Sequence, residues 1–148
     1  MRTVLFVCTG NTCRSPMAEG LALAYAKAAD LDVFVASAGV AAVDGMPTSP
    51  ETTEALQRLG IEFQGHSKAL TGEMVARADA IFCMTGAHVT AAKAVLARLE
   101  GDQAEAMDRI QLLQPSGDVP DPIGSSQRVY DALAEQLQPI IEDRMKQA

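Results

Sequence analysis

Short apolar runs alternate with longer segments of helical periodicity along this chain. The apolar runs predict buried strands. They lie at Thr3–Val7, Val33–Ala38, Ala80–Met84 and Arg109–Leu113. The longer segments predict helices at Pro16–Ala29, Pro50–Leu59, Thr71–Arg77, Gly86–Leu99 and Ser126–Lys146. Such alternation predicts an α/β fold, a doubly wound four-stranded parallel sheet with helices on both faces.

Two of these helices carry signals at their ends or in their interior. Thr48 and Glu51 are spaced as a capping box at the start of the second helix, and Gly60 is expected to end it. Pro139 is expected to kink or interrupt the last helix near Glu135, because proline lacks the N–H that a helix interior needs. The inward side chains of that helix are expected to be Val129, Tyr130, Leu133, Leu137 and Ile140.

The composition is that of an ordinary globular protein. Hydrophobic residues make up 48% and charged residues 21% of the 148 positions, and we expect one domain over residues 1–148. The net charge of -7 argues against a nucleic-acid partner, which would favour a basic surface. No apolar stretch approaches the roughly 18 residues that a membrane span requires, so no membrane partner is expected.

The three cysteines suggest a reducing environment. Their number is odd, and Cys8 and Cys13 lie only five positions apart, which does not suit a framework of disulfides. The apolar run before Cys8 is too short for the core of a signal peptide. We therefore expect a cytoplasmic protein, and we expect it to be a monomer.

The loop between the first strand and the first helix (residues 8–15, the Cys8 loop) carries the most chemistry. It places Cys8 at the end of a strand and Arg14 just before a helix. Amides at a helix N-terminus attract anions, and the arginine fork matches two phosphate oxygens. Gly10 is expected to ease the curl of the loop. The positive potential of the helix N-terminus and of Arg14 also favours the thiolate form of Cys8, which is the nucleophilic form. Ser15 is placed to donate a hydrogen bond to that sulfur.

Taken one at a time, these residues have ordinary explanations. A cysteine after a strand is often a small buried hydrophobe, and an arginine before a helix is often solvated. Together, in a strand–loop–helix context, they favour an oxyanion site with a nucleophile. Ligands of such folds bind at the carboxyl ends of the strands, so the Cys8 loop and the Pro120–Gly124 loop are expected to meet.

The motif from Val7 to Glu19 resembles the signature of low-molecular-weight protein tyrosine phosphatases. The resemblance continues through Ser37-Ala38-Gly39, His66-Ser67 and the Ala80–Met84 strand to Asp121-Pro122, and so covers essentially the whole chain. It implies hydrolysis of a phosphorylated protein side chain through a cysteinyl-phosphate intermediate. It implies no metal and no cofactor.

The resemblance also assigns roles to residues. It makes Cys8 the nucleophile, Arg14 the phosphate ligand and Asp121 the general acid, which protonates the leaving group. The remaining phosphate-binding and supporting residues that it implies are Thr9, Gly10, Asn11, Thr12, Cys13, Ser15, Ser37 and His66. From the sequence alone, Asp121 is better explained as a turn residue before proline, and His66 as an ordinary surface or core histidine; the resemblance reverses the first of these interpretations.

The substrate is suggested by what surrounds the loop. Tyrosine-directed members usually carry aromatic residues after the second strand and after Asp-Pro, whereas this chain has Val40–Met46 and then Ile123-Gly124. Thr12 stands where those members have a branched apolar residue. This pattern resembles the bacterial protein arginine phosphatase branch, although that branch often has phenylalanine at the position of Ile123. Phosphoarginine is the expected substrate, and phosphotyrosine is the alternative.

Several points stay open on the sequence. Cys13 either packs beneath the loop or, as the resemblance implies, traps oxidised Cys8 as a disulfide. Cys83 is expected in the core, and His88, on a polar helix face, has no assigned role. An arsenate reductase would share the anion loop but needs further cysteines after Cys83, and none follows. A non-catalytic phosphate-binding module is the remaining rival.

Overall fold

A parallel sheet of four strands forms the centre of the protein, in the order β2-β1-β3-β4. The computed structural model describes residues 1–147. The strands are β1 (Arg2–Cys8), β2 (Val33–Gly39), β3 (Ala80–Cys83) and β4 (Ile110–Leu112). The helices are α1 (Arg14–Ala28), α2 (Pro50–Arg58), α3 (Gly72–Arg77), α4 (Gly86–Ala97), α5 (Ala104–Met107) and α6 (Gln127–Lys146). The predicted α/β architecture is confirmed, and only the short helix α5 was not expected.

The register of the sheet brings the functional loops together. Cys8 pairs with Gly39 of β2, and Val7 pairs with Cys83 of β3. All strand pairs are parallel, so the loops that leave β1, β2 and β3 emerge at the same edge. No helix in the described part of the chain is long and apolar enough to span a bilayer.

Alternate residues of β1 point into two separate cores. Val4 and Phe6 face the cluster built with α1, α2 and α6, and the ring of Phe6 stacks on Phe82 at 5.8 Å. Leu5 and Val7 face the cluster built with α3 and α4. Both faces of the sheet are thus covered at β1, which is why its residues 4–7 are all apolar and buried rather than alternating.

An interruption of the last helix near Glu135 is contradicted, and its expected inward face was wrong in part. α6 is continuous from Gln127 to Lys146 with Pro139 inside it. Pro139 is exposed, so water can hydrate the backbone carbonyl that its missing N–H leaves free. Tyr130, Leu133 and Leu137 are buried as expected. However, Val129 is 46% exposed and Ile140 is only partly buried, and the fully buried residues near the end are Ile141 and Met145.

The predicted capping box at α2 was also wrong. The N-cap is Ser49, whose Oγ accepts a hydrogen bond from the Thr52 amide at 3.3 Å. Thr48 instead binds the neighbouring loop, because its Oγ1 accepts from the Gly65 amide at 2.9 Å. Gly60 ends the helix with a positive φ of 79°, as expected for a left-handed stop.

Candidate active site

The Cys8 loop lies at the carboxyl edge of the sheet and leads directly into α1. Cys8 is the last residue of β1, and Arg14 is the first residue of α1. No side chain caps the N-terminus of this helix. Its first amides and its positive dipole are therefore directed at the space beside the Cys8 sulfur, as an anion site requires.

Two donors converge on the Cys8 sulfur. Ser15 Oγ lies 2.9 Å from Cys8 Sγ, and the Asn11 amide donates to the same sulfur at 3.3 Å. The side-chain amide of Asn11 donates to Ser15 Oγ at 2.7 Å. Because Ser15 Oγ accepts from Asn11, its own hydrogen is free to point at the sulfur. A hydrogen bond donated by Ser15 stabilises a negatively charged sulfur, both as a nucleophile and as a leaving group.

Asn11 holds the loop in a conformation that few residues adopt. Its φ is +56°, in the left-handed region that asparagine tolerates better than most residues. Its Oδ1 accepts from the Lys68 amide at 2.9 Å, and its Nδ2 donates to Ser37 Oγ at 2.9 Å. Ser37 in turn donates to Glu19. The side chain therefore ties the loop to β2 and to the segment around Lys68.

Burial raises the pKa of Glu19 above its usual value of 4.5. The hydrogen bond from Ser37 and the positive charge of Lys68 act in the opposite direction, lowering that pKa, but burial is the larger effect. Glu19 is therefore a partly desolvated acceptor at the end of the Asn11–Ser37 chain of hydrogen bonds.

Two expectations about the support of the loop were wrong. The His66 side chain is exposed, and the hydrogen bonds of residues 1–147 include none from it to the Cys8 loop; the backbone amide of Lys68 takes that place. Gly10 has an ordinary φ, and a Cβ there would meet nothing nearer than Thr12 Oγ1 at 3.8 Å. The positive φ falls on Asn11 instead.

Gly39 is the glycine on which the loop depends. A Cβ at Gly39 would lie 2.4 Å from the Thr9 carbonyl oxygen and 3.0 Å from the Asn11 nitrogen. The backbone of the Cys8 loop thus packs directly against the end of β2. The sequence places Gly39 directly after the second predicted strand, which is a signal for a close backbone approach there. Which segment approaches it depends on strand order.

Arg14 and Asp121 approach each other across the mouth of the site. Arg14 is 5% exposed, and its guanidinium donates to the Val119 carbonyl oxygen at 3.0 Å. Its other nitrogen lies 3.6 Å from Asp121 Oδ2. The Val119 amide donates to Met84 at the end of β3 at 2.8 Å. The predicted meeting of the Cys8 loop with the Pro120–Gly124 loop is therefore confirmed.

A small pocket of about 150 Å³ opens between the two loops. Its lining residues are Cys8, Thr9, Gly10, Thr12, Cys13, Arg14, Asp121 and Ile123. Ile123 is 69% exposed at the rim. None of the lining residues in the described chain is aromatic.

The three cysteines are all free thiols, and all three are buried. Cys13 Sγ lies 3.5 Å from the Tyr130 hydroxyl and 3.6 Å from Ser49 Oγ. Burial, followed by the contact with Cys13, raises the pKa of Tyr130. Cys83 lies in the core as expected, and burial raises the pKa of its thiol to about 12. A thiol with such a pKa is unreactive at neutral pH.

His88 was missed in the sequence, and it belongs to this site. It is 4% exposed, and its Nε2 lies 2.8 Å from Thr9 Oγ1. A helical signal could have found it, because His88 precedes the buried residues Ala92 and Leu96 by four and eight positions on the same face of α4.

Similar proteins fall into one family. The sequence profile of the low molecular weight phosphotyrosine protein phosphatases matches residues 3–147. A protein-arginine-phosphatase of Bacillus subtilis (strain 168) is 36% identical over 146 residues, which are 97% of this chain and 95% of that protein. The low molecular weight protein-tyrosine-phosphatase PtpB of Staphylococcus haemolyticus is 34% identical over 134 residues, which are 90% of this chain and 91% of that protein.

Solved structures agree with this grouping. A cysteine-to-serine mutant of YwlE arginine phosphatase with a phosphorylated active-site serine superposes with a TM-score of 0.89 at 34% identity, covering 98% of this chain and 94% of that one. A low molecular weight protein tyrosine phosphatase from T. tengcongensis gives a TM-score of 0.87 at 36% identity, with both chains fully covered. The chain therefore belongs to the low molecular weight phosphotyrosine protein phosphatase family, whose members are cysteine-based protein phosphatases.

Proposed function

We propose that this phosphatase hydrolyses phosphoarginine in proteins through a cysteinyl-phosphate intermediate at Cys8. The observation that carries the proposal is the convergence of Ser15 and the Asn11 amide on the Cys8 sulfur, in a pocket that Arg14 and Asp121, 3.6 Å apart, also line. The solved YwlE mutant supports it, because there a serine of the active site carries the phosphate.

In the first step the Cys8 sulfur attacks phosphorus, and the bond from phosphorus to the leaving nitrogen breaks. Arg14 and the amides of the Cys8 loop stabilise the charge that spreads over the phosphoryl oxygens. Asp121 gives its proton to the leaving nitrogen, so the guanidinium departs as a neutral or cationic group rather than as an anion.

In the second step water attacks the cysteinyl phosphate and the sulfur–phosphorus bond breaks. Asp121, now a carboxylate, takes a proton from that water. Ser15 donates to the departing sulfur, which stabilises it as a thiolate. One carboxyl group thus serves both steps, which its half-exposed position beside Arg14 allows.

The preference for arginine rests on the composition of the pocket. Recognition of an aryl phosphate favours flat aromatic walls, and no aromatic side chain lines this pocket in the described residues. Thr12 contributes a hydroxyl group to the lining, which suits the N–H groups of a guanidinium. The Asp121 carboxylate can pair with the same guanidinium.

Phosphotyrosine is the second candidate, and a tyrosine phosphatase among the relatives supports it. The PtpB tyrosine phosphatase covers nearly as much of the chain, at 34% identity, as the arginine phosphatase does at 36%. An exposed apolar side chain, Ile123, stands at the rim and offers a surface on which an aromatic ring can rest.

A rate comparison on phosphoarginine, phosphotyrosine and phosphoserine versions of one peptide tests the proposal. We expect the highest kcat/KM on phosphoarginine, and a shift towards phosphotyrosine in Thr12→Ile. Equal rates on phosphoarginine and phosphotyrosine, with no response to Thr12→Ile, would contradict the arginine preference. Absence of turnover on every phosphate ester and phosphoramidate would favour a phosphate-binding module instead.

A further inference from the structure

His88 is a buried titratable residue for which the proposed reaction has no use. It lies in the first turn of α4 and is 4% exposed. Its one side-chain hydrogen bond among residues 1–147 joins Nε2 to Thr9 Oγ1 at 2.8 Å. The other ring nitrogen, Nδ1, is buried and has no hydrogen-bond partner in that part of the chain.

This asymmetry selects one tautomer of the ring. A neutral histidine carries one N–H and one lone pair. If Nδ1 carried the hydrogen, a buried donor would lack an acceptor, which is the more costly of the two arrangements. The hydrogen therefore belongs on Nε2, where Thr9 Oγ1 accepts it, and only a lone pair is left without a partner.

The surroundings of His88 keep the ring neutral. Burial and the nearby charge of Arg14 lower its pKa below the usual 6.5, and they outweigh Asp118 and Asp121, which act to raise it. A charged ring would place a second N–H, at Nδ1, against groups that offer it no acceptor. The neutral Nε2–H form is thus the one that the fold favours near pH 7.

The state of His88 fixes the direction of the Thr9 hydroxyl. Because Thr9 Oγ1 accepts from His88, its own hydrogen must point elsewhere. Thr9 lines the same pocket as Cys8 and Arg14. An anion in that pocket is the natural acceptor for this hydrogen.

We propose that His88 is a positioning residue that turns the Thr9 hydroxyl into a hydrogen-bond donor to the bound phosphoryl group. Thr9 then adds a side-chain donor to the backbone amides and to Arg14. This inference rests on the proposed function of the Cys8 loop as the phosphoryl site. It involves no proton transfer and no bond change, because His88 and Thr9 keep their hydrogens throughout the reaction.

The test uses vanadate, a phosphate-like anion, together with an aryl phosphate substrate. We expect Thr9→Val and His88→Leu each to weaken vanadate inhibition and kcat/KM by roughly 10- to 100-fold, the worth of a hydrogen bond to a charged group. Both changes remove the same donor, so the double variant should be about as impaired as either single variant. His88→Gln should be much less impaired than His88→Leu, because its side-chain amide also donates. Thr9→Ser should likewise be much less impaired than Thr9→Val, because serine keeps the hydroxyl.

Several results would overturn the proposal. Unchanged vanadate affinity in Thr9→Val would show that its hydroxyl does not bind the anion. Losses that add in the double variant would show that His88 acts by another route. If His88→Leu does not fold, as urea denaturation will show, the comparison of Thr9→Val with Thr9→Ser still tests the Thr9 hydroxyl, because Thr9 is exposed. His88→Gln then tests the positioning role, since a folded His88→Gln that loses vanadate affinity as Thr9→Val does would contradict it.

Failure of the proposed function gives a different pattern. A wild-type protein that turns over no phosphorylated substrate contradicts the assignment of Cys8 as nucleophile. Vanadate binding, measured directly by calorimetry, still reports on Thr9 and His88 in that case. If Thr9→Val and His88→Leu then bind vanadate with the same affinity as the wild type, the positioning role of His88 is contradicted independently of the proposed function.

Discussion

The guanidinium of Arg14 and the carboxylate of Asp121 lie 3.6 Å apart, although the two residues are far apart in the sequence. Arg14 is nearly buried and is fixed by the Val119 carbonyl, whereas the side chain of Asp121 is 49% exposed. In the proposed mechanism the pair joins a rigid phosphate ligand to an acid that solvent can reach. A group that must donate a proton in one step and regain it in the next needs such access.

Replacing Asp121 with asparagine should lower kcat by about 10²- to 10⁴-fold, the usual worth of a general acid. The loss should be smallest for an aryl phosphate whose phenol is acidic, because that leaving group needs little protonation. A series of aryl phosphates of graded phenol pKa measures this. Asp118→Asn is the matched control, since Asp118 caps the Gly86 amide at 2.9 Å, and its effect should not depend on the leaving group.

Gly39→Ala should displace the Cys8 loop. The new Cβ would lie 2.4 Å from the Thr9 carbonyl oxygen, and such overpacking costs about 1–3 kcal/mol of the free energy of unfolding. We expect that loss in urea denaturation, together with a large fall in kcat. Gly86→Ala is the control, because a Cβ there meets only Asp118 Oδ1 at 4.0 Å. Full activity in Gly39→Ala would contradict the close packing.

Glu19→Gln should change how stability depends on pH. The folded state raises the pKa of Glu19 above 4.5, so between the unfolded and the folded pKa the native state binds more protons than the unfolded state. The free energy of unfolding therefore falls as pH rises through that window, and it stays lowered above it.

Glutamine can still accept from Ser37 but does not titrate, so this decline should be missing from Glu19→Gln. Urea denaturation at a series of pH values from 4 upward measures the free energy of unfolding of variant and wild type. The variant should become more stable relative to the wild type as pH rises. The exposed Glu62 provides the control, because Glu62→Gln should leave the pH dependence as it is. A constant difference at all pH values would contradict the role of burial.

Cys13→Ser tests whether Cys13 protects oxidised Cys8. If a disulfide forms between them, peroxide-treated wild type should regain its activity with a thiol reductant, and Cys13→Ser should regain much less. The control is Cys83→Ala, because burial raises the pKa of the Cys83 thiol to about 12 and so keeps it unreactive. Equal recovery in wild type and Cys13→Ser would limit Cys13 to its contacts with Tyr130 and Ser49.

Much of the fold could be predicted from local sequence, and the predictions that were wrong have a common physical cause. Apolar periodicity depends on neighbours along the chain, so the strands and five of the six helices were placed with every end within two residues of its position in the structure. The continuation of α6 through Pro139 and its inward face were missed. Both depend on where solvent and the neighbouring helices α1 and α2 lie, which periodicity alone does not specify.

The sequence by itself determined the chemistry of the Cys8 loop, because Cys8, Ser15 and Arg14 are adjacent along one strand, loop and helix start. The tertiary structure decided what supports that loop. Lys68 rather than His66 holds Asn11, Gly39 admits the Thr9 backbone, and the Nε2 atom of the buried His88 lies within hydrogen-bond distance of the Thr9 hydroxyl. Each of these contacts joins residues at least 28 positions apart. Strand order and register create such contacts, and no local pattern encodes them.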